Sequence, residues 1–240
     1  MLSLFFVPEI GDGSSLVIEG DGAHHAIKVM RMEIGEQIQV ADGRGNWAQG
    51  EISQIEKKSF TLAISERGHT SRSHPEFIVV QALTKSDRAK ETIELLVEAG
   101  VDRIIPWESD HCIAKWKAEM LEKWSNAAIT SCKQSRRYSI PAIETPITLN
   151  QMVRRFSEKT LLLVLHESAR EKLSVVVSPS AISYEQIVLV VGPEGGISGV
   201  ELRELEAAGG KIVKLGNPVL RSAHAGFAGL AAVQALMKHW

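Results

Sequence analysis

Two glycine-bearing runs near the end of the chain constrain its fold more than any other feature. Val191-Gly-Pro-Glu-Gly-Gly-Ile-Ser198 follows the apolar stretch 187–191, and Leu215-Gly-Asn-Pro-Val-Leu-Arg221 closes the stretch 211–215. Each reads as a buried strand ending in a backbone-rich turn, which is where an open α/β sheet binds its ligands. Gly192, Gly195, Gly196 and Gly216 offer free N–H and C=O groups and close approach rather than reactive side chains. The residues therefore predict a pocket made mostly of main chain, suited to a flat heterocycle such as adenine. A phosphate loop is disfavoured. Neither run is followed by Lys-Ser or Lys-Thr, no Gly-x-x-x-x-Gly-Lys occurs, and the spacing is not the dinucleotide fingerprint. Two tight turns that only cap strands remain the plainer alternative for either run alone.

From about residue 75 onward the pattern alternates. Strands are expected at 77–82, 103–106, 161–165, 187–191 and 211–215, and helices over 86–99, 115–132, 199–208 and 223–238. Such alternation specifies an α/β domain with a mostly parallel sheet covered on both faces. Upstream, 37–40, 47–55 and 59–64 are β-like, with a turn at Asp42-Gly-Arg-Gly-Asn46, which predicts a small barrel. Residues 20–30 read as helical, with Ala23, Ile27 and Met30 at helical spacing. The polar, breaker-rich run from Glu66 to Pro75 reads as a linker, so the expected domains are 1–70 and 75–240.

With 240 residues and 44% apolar content, the chain suits one large or two modest globular domains. No stretch approaches the roughly 20 apolar residues that span a bilayer. The N-terminus has neither a basic lead nor a small-residue cleavage site, so a cytoplasmic protein is expected. Cys112 and Cys132 lack metal spacing and read as free thiols. No Asp or Cys is spaced to make ligands of His24 and His25, which read as packing and capping residues of the first helix, and no metal is expected. A net charge of −2 excludes a protein that coats nucleic acid by charge alone. An RNA-binding chain would have to concentrate its cations, and candidates are Lys57-Lys58, Arg67 with Arg72, Lys115 with Lys117, and Lys133 with Arg136-Arg137.

Six matches in order make a resemblance specific. Gly192-Pro-Glu-Gly-Gly196 and Leu215 to Arg221 are joined upstream by Lys85-Ser-Asp-Arg88, Glu98-Ala-Gly-Val101, Gln134-Ser-Arg-Arg137 and His24-His-Ala-Ile-Lys-Val-Met-Arg31. The chain thereby resembles the RsmE family of 16S ribosomal RNA uridine N3-methyltransferases, in the SPOUT superfamily, over essentially its whole length. The resemblance implies a PUA-like N-terminal barrel that holds RNA. It also implies a C-terminal SPOUT domain with a trefoil knot, S-adenosylmethionine as cofactor and a homodimer acting on 16S rRNA or the small ribosomal subunit. Cofactor contacts are implied for Leu165, His166, Gly192, Pro193, Glu194, Gly195, Gly196, Leu215, Gly216, Val219 and Leu220. RNA contacts are implied for Arg31, Lys85, Arg88, Gln134, Arg136 and Arg137.

Methyl transfer chiefly needs donor and acceptor held in line. The proton on uridine N3 must also leave, and a nearby cation such as Arg221 would favour the ionised base. Arg221 is therefore the expected catalytic residue, and a salt bridge fixing the last helix is its alternative. Glu194 reads either as part of the cofactor turn or as a cap for the helix at Gly199. Arg136 and Arg137 beside Tyr138 suit phosphates and a stacked base, or else a helix C-terminus. The family commonly carries Thr-Glu-Thr-Ala after Leu-Arg, whereas this chain has Ser222-Ala223-His224-Ala225; Ser222 keeps a capping hydroxyl, but the carboxylate is gone at Ala223. A non-catalytic RNA-binding or ribosome-assembly protein, or a methyltransferase for another RNA acceptor, thus remains the competing expectation.

Overall fold

In the computed structural model of the chain, residues 2–84 and 86–240 are described. They form two compact units, Met1–Arg72 with Ile129–Ile140, and Ser73–Ala128 with Pro141–Trp240.

The first unit is a curled five-stranded sheet of β1 (Ser3–Phe6), β2 (Ser15–Glu19), β3 (Gln37–Ala41), β4 (Asn46–Ile55) and β5 (Ser59–His69), in the order β1-β3-β4-β5-β2. β1 lies parallel to β3, and the other pairs are antiparallel. Strand alternation turns Ile38, Val40, Ile52, Phe60 and Leu62 into one core. The short helix α1 (Gly20–His24) and the π-helical turn His25–Val29 close it with Ala23 and Ala26, both wholly buried. His24 and His25 are exposed, contrary to the packing role expected of them, because the methyl groups make the approach to the sheet. The Asp42 carboxylate fixes the β3–β4 turn by accepting from the backbone N–H groups of Arg44 and Asn46 at 2.7 and 3.1 Å.

The expected linker begins too early. β5 continues through residues 66–69, pairing Gly68 with Trp47 and His69 with Asn46. Gly68 is no breaker here, since a Cβ on it would lie 2.6 Å from the Trp47 ring. Arg67 donates to the carbonyls of Gly11 and Gly13 at 2.9 and 2.6 Å, so its charge serves the fold. The segment 129–140 also packs within this unit. Tyr138 stacks on Trp47 with ring centroids 5.4 Å apart and planes inclined by 25°, and Ile140 N–H donates to the Gly43 carbonyl. The stack occupies one face of Tyr138, so the expected base platform beside Arg136 is already covered on that side.

The second unit is a wholly parallel sheet of β6 (Glu76–Ala82), β7 (Arg103–Trp107), β8 (Ala142–Ile143), β9 (Thr160–Leu165), β10 (Glu171–Lys172), β11 (Gln186–Val191) and β12 (Lys211–Lys214). The order is β10-β12-β9-β11-β6-β7-β8. Residues 77–80, 161–164 and 187–191 are buried throughout, as strands covered on both faces must be. Helices α2 (Ser86–Glu98), α3 (Glu119–Ser135, of which the residues from Ile129 belong to the first unit), α4 (Leu149–Arg155), α5 (Leu173–Val176), α6 (Gly199–Ala207) and α7 (Ser222–Leu236) accompany the strands. On α7, Leu230 and Val233 are core, while Phe227 and Leu236 are half-buried.

An ion cluster ties one edge of this sheet together. Arg103 on β7 donates to Glu76 on β6 at 2.8 Å and to Glu144 at 2.7 Å, and Arg155 on α4 holds Glu144 with two bonds of 2.6 and 2.7 Å. The bonds from Arg155, opposed by burial and reinforced by Arg103, hold the Glu144 carboxyl below its ordinary value of 4.5. Its folded value lies below its unfolded one. The stabilisation is therefore fully present above pH 4.5 and is lost as pH falls through the lowered value. Glu144→Gln should lower the thermal midpoint at about pH 7, and the gap from the parent should close as pH falls below 4.5 and through the lowered value, as scanning calorimetry over that range would record. A gap independent of pH would deny the carboxylate this role.

Candidate active site

The carboxyl ends of β9, β11 and β12 are neighbours in the sheet, and the loops leaving them enclose a cleft of about 330 Å³. Its walls are Leu165 to Glu167 after β9, the turn from Gly192 after β11, and Lys214 to Arg221 after β12, with Ser222 and Ala225 of α7. Both glycine runs thus meet in one place. Of the expected cofactor residues, Leu165, His166, Gly192, Pro193, Glu194, Gly196, Leu215, Gly216, Val219 and Leu220 line it, as does Arg221. Gly195 does not. It backs onto another loop, where an added Cβ would meet the Cβ of His111 at 3.0 Å.

The first turn is held from behind. Gly196 N–H donates to the Pro193 carbonyl at 2.9 Å, and Gly196 has a φ of +75°, which glycine adopts without strain. The His111 Nδ1 lies 3.0 and 3.1 Å from the carbonyl oxygens of Gly195 and Gly196. Two acceptors on one ring nitrogen require that Nδ1 carry the proton. Glu201, almost wholly buried, accepts from the N–H groups of Asp110 and Ser198 at 2.8 Å each, and Ser198 Oγ donates to Asp110 Oδ2 at 2.8 Å. The Ser198 and Glu201 bonds are also the capping box of α6. That cap is not Glu194, whose exposed side chain lines the cleft instead.

The second turn is tied to the first by one hydroxyl. Ser222 Oγ donates to the Gly192 carbonyl at 2.6 Å and accepts from Gln81 Nε2 on β6 at 3.1 Å. Ser222 was expected to cap α7, but the N-cap position is Arg221 and no side chain caps there. The hydroxyl is committed to Gly192. Ala223, where the carboxylate is missing, is buried and outside the cleft lining, and His224 pairs at the surface with Glu91 at 3.3 Å. The Arg221 guanidinium, exposed at the cleft, has no ion pair among the described residues.

The expected RNA residues are distributed differently. Gln134 and Arg136 line a second cleft, in the first unit, together with Met30, the neighbour of Arg31. Arg137 lies near buried Cys132, whose thiol is pushed up to about 11 by burial and lowered in part by that cation. Both cysteines are free. Arg88 lies near the start of α2 and lines neither cleft. Lys85 lies outside the described residues. Sequence reasoning missed Gln81, Asp110, His111 and Glu201. Only Glu201 left a signal, since Ser198-Gly-Val-Glu201 has the spacing of a capping box.

Comparison with known proteins defines the class. Residues 71–234 match the RNA methyltransferase domain family, and residues 18–65 match the RNA methyltransferase PUA domain family. The ribosomal RNA small subunit methyltransferase E of Mycobacterium bovis is 35% identical, over 99% of this chain and 93% of that protein. Its Bacillus subtilis counterpart is 25% identical, over 94% and 91%. Among solved structures, the ribosomal RNA small subunit methyltransferase E of Neisseria gonorrhoeae bound to S-adenosyl methionine superposes with a TM-score of 0.89 at 28% identity, covering 98% of each chain. A Legionella pneumophila methyltransferase in complex with the same cofactor gives 0.84 at 28% identity, also over 98% of each. The chain belongs to the family of ribosomal RNA small subunit methyltransferase E, and its parallel sheet and curled N-terminal sheet are the RNA methyltransferase and PUA parts of that fold.

Because Ser222 Oγ is the donor shown for the Gly192 carbonyl, Ser222→Ala should leave that acceptor poorly satisfied. The expected loss is about 1–3 kcal/mol in urea unfolding, with an unchanged slope. Parental stability would mean that the bond contributes nothing net.

Proposed function

We propose that the chain transfers a methyl group from S-adenosylmethionine to N3 of a uridine in 16S ribosomal RNA. The observation that carries this reading is the main-chain cleft at the carboxyl ends of β9, β11 and β12. The residues present fit the cofactor. The 330 Å³ volume falls within the range of about 300–1,000 Å³ typical of small-molecule sites. At Gly196, nothing lies within 4 Å of the place a Cβ would take, which leaves room for close approach. Leu165, Ile197 and Leu215 offer an apolar wall for adenine, and the carboxylates of Glu167 and Glu194 suit a cationic donor.

When bound, S-adenosylmethionine supplies an electrophilic methyl group on a sulfonium. The chain is left with two tasks, position and the N3 proton. Main-chain groups held by Ser222, His111 and Glu201 set position without moving during the reaction. The unpartnered Arg221 guanidinium stabilises the negative charge that develops on uracil as N3 loses its proton. The non-catalytic alternative rests on the missing carboxylate at residue 223, and the buried position of Ala223 outside the cleft weakens it.

In this reading residues 1–70 hold RNA and 75–240 hold the cofactor. The functional form is a homodimer. Val219 and Leu220, 73% and 41% exposed at the cleft, present an apolar lip that a second subunit would cover. No described helix is long and apolar enough to cross a membrane, and the proposed place of action is the cytoplasm, with the substrate.

Calorimetric titration with S-adenosylmethionine followed by nucleoside mass analysis of treated 16S ribosomal RNA tests the whole reading. Heat of binding and a methyl group on uridine N3 are expected; methylation of another base or of ribose would replace the acceptor. Arg221→Lys should reduce kcat about tenfold or more with little change in cofactor affinity, because lysine keeps the charge but loses the planar fork. That deficit should shrink as pH rises toward the range where uridine N3 ionises unaided, and a pH-independent deficit would return Arg221 to a structural role.

His111 should act through the turn it braces. His111→Leu is expected to weaken S-adenosylmethionine binding about tenfold, or about 1.4 kcal/mol. His111→Asn, which keeps a donor near the Nδ1 position, should recover most of that loss. Equal affinity of all three forms would show the brace to be irrelevant to the cofactor.

A further inference from the structure

The first unit contains a second cleft, of about 500 Å³, that the proposed reaction does not use. It is lined by β1, with buried Leu4 and Phe5, by His25 and Met30, and by the last turns of α3. Lys133, Gln134 and Arg136 line the α3 side. Among the lining residues three are basic and none is acidic, in a chain whose net charge is −2. The side chains of His25, Lys133 and Arg136 have no hydrogen-bond or ion-pair partner among the described residues. A concave site lined by uncommitted basic groups together with apolar ones is complementary to a ligand that joins an anionic group to a flat, apolar one.

The backbone adds an independent observation. Arg136 has a φ of +58° and Arg31, next to the lining residue Met30, has a φ of +55°. Each closes a helix. Arg137 N–H donates to the Cys132 carbonyl across Arg136, and Met32 N–H donates to the Ala26 carbonyl across Arg31, both at 3.0 Å. The ends of α2 and α6 close in the same way with Gly100 and Gly209, at φ values of +88° and +90°. Glycine is the residue that adopts this conformation freely. The chain therefore carries an arginine, at a conformational cost, at two helix ends that border one cleft.

We infer that this cleft seats one unstacked nucleotide of the RNA strand, other than the nucleotide that is methylated. Its phosphates lie on Lys133, Arg136 and His25, and its base lies against Met30. The inference rests on the RNA methyltransferase reading and adds a single-nucleotide seat to it. A seat of this kind fixes the register of a single strand by stacking and charge rather than by base-edge recognition.

The test uses the full chain with fluorescently labelled oligouridylate and, as a second probe, an abasic oligoribose phosphate of equal length. Arg136→Gly suits the backbone it replaces, so its thermal midpoint should equal or exceed the parent's. Its affinity for oligouridylate should fall about tenfold, with the slope of log affinity against log salt reduced by about one. Lys133→Ala, on an exposed helical position, should lose affinity similarly and serves should the glycine variant fail to fold. Met30→Ala should weaken oligouridylate binding severalfold while leaving the abasic probe unchanged. All variants should bind S-adenosylmethionine as the parent does. Parental RNA affinity in the Lys133 and Arg136 variants, or an equal loss of both probes in the Met30 variant, overturns the nucleotide seat alone. A parent that binds the cofactor but neither probe nor 16S ribosomal RNA overturns the RNA reading and the seat together.

Discussion

The bond from Ser222 Oγ to the Gly192 carbonyl is the constraint on which the main-chain cleft depends. Gly192 follows the last residue of β11, at the point where the parallel ladder stops supplying partners. A carbonyl in that half-buried position needs a donor, and the first residue of α7 provides one. The same hydroxyl accepts from Gln81, which lies on β6 in register with Val191. Three segments separated widely in sequence are thereby fixed at one point. The relation between the two glycine turns is set by side-chain chemistry that lies largely out of solvent, where a hydrogen bond meets little competition from water.

A cleft walled mostly by main chain has few side chains of its own to hold it in shape, so its rigidity must come from outside. Here it comes from His111, Asp110, Ser198 and Glu201 behind the first turn and from Ser222 between the turns. His111, Asp110 and Glu201 are absent from the cleft wall. This division explains why the change at residue 223 leaves the cleft intact. Ala223 is packed inside α7's contact with its own unit, while the residues that define the cleft's shape act through Ser222 and the backbone. Gly195 illustrates the converse. Its lack of a side chain serves the contact with His111 rather than contact with a ligand.

Most of the parallel sheet was legible, because buried strands leave continuous apolar runs and their turns leave glycine and proline. The gathering of Leu165, Gly192 and Leu215 at one end was legible for the same reason, as every strand of a parallel sheet ends on one side. Two-residue strands such as β8 and β10 left no periodic signal. Residues 66–69 were misread because a glycine that permits an indole to approach looks, in sequence, like a glycine that breaks a strand. The braces Gln81 and His111 had no local signature. Their partners lie 141 and 84 residues away, and nothing in a single sequence marks a polar residue as aimed at a distant carbonyl.

Charge follows the same logic of commitment. Basic residues that look alike in sequence divide by what they touch. Arg67 is committed to the carbonyls of Gly11 and Gly13, Arg103 and Arg155 to Glu144, and Arg44 to Asp42. Once these are set aside, Arg221 at the main-chain cleft and Lys133 with Arg136 at the second cleft stand among the cations with no counter-charge in the described residues. A slightly acidic chain can therefore address an anionic polymer. Several of its arginines are spent inside the fold, on carboxylates or on carbonyl oxygens, while others stand at concave sites, where low-dielectric walls strengthen their field. On the proposed reading, a cleft that leaves its cations free in this way would select a strand whose charge and bases fit it over one that is merely negative, as modification of a single nucleotide within a long RNA requires.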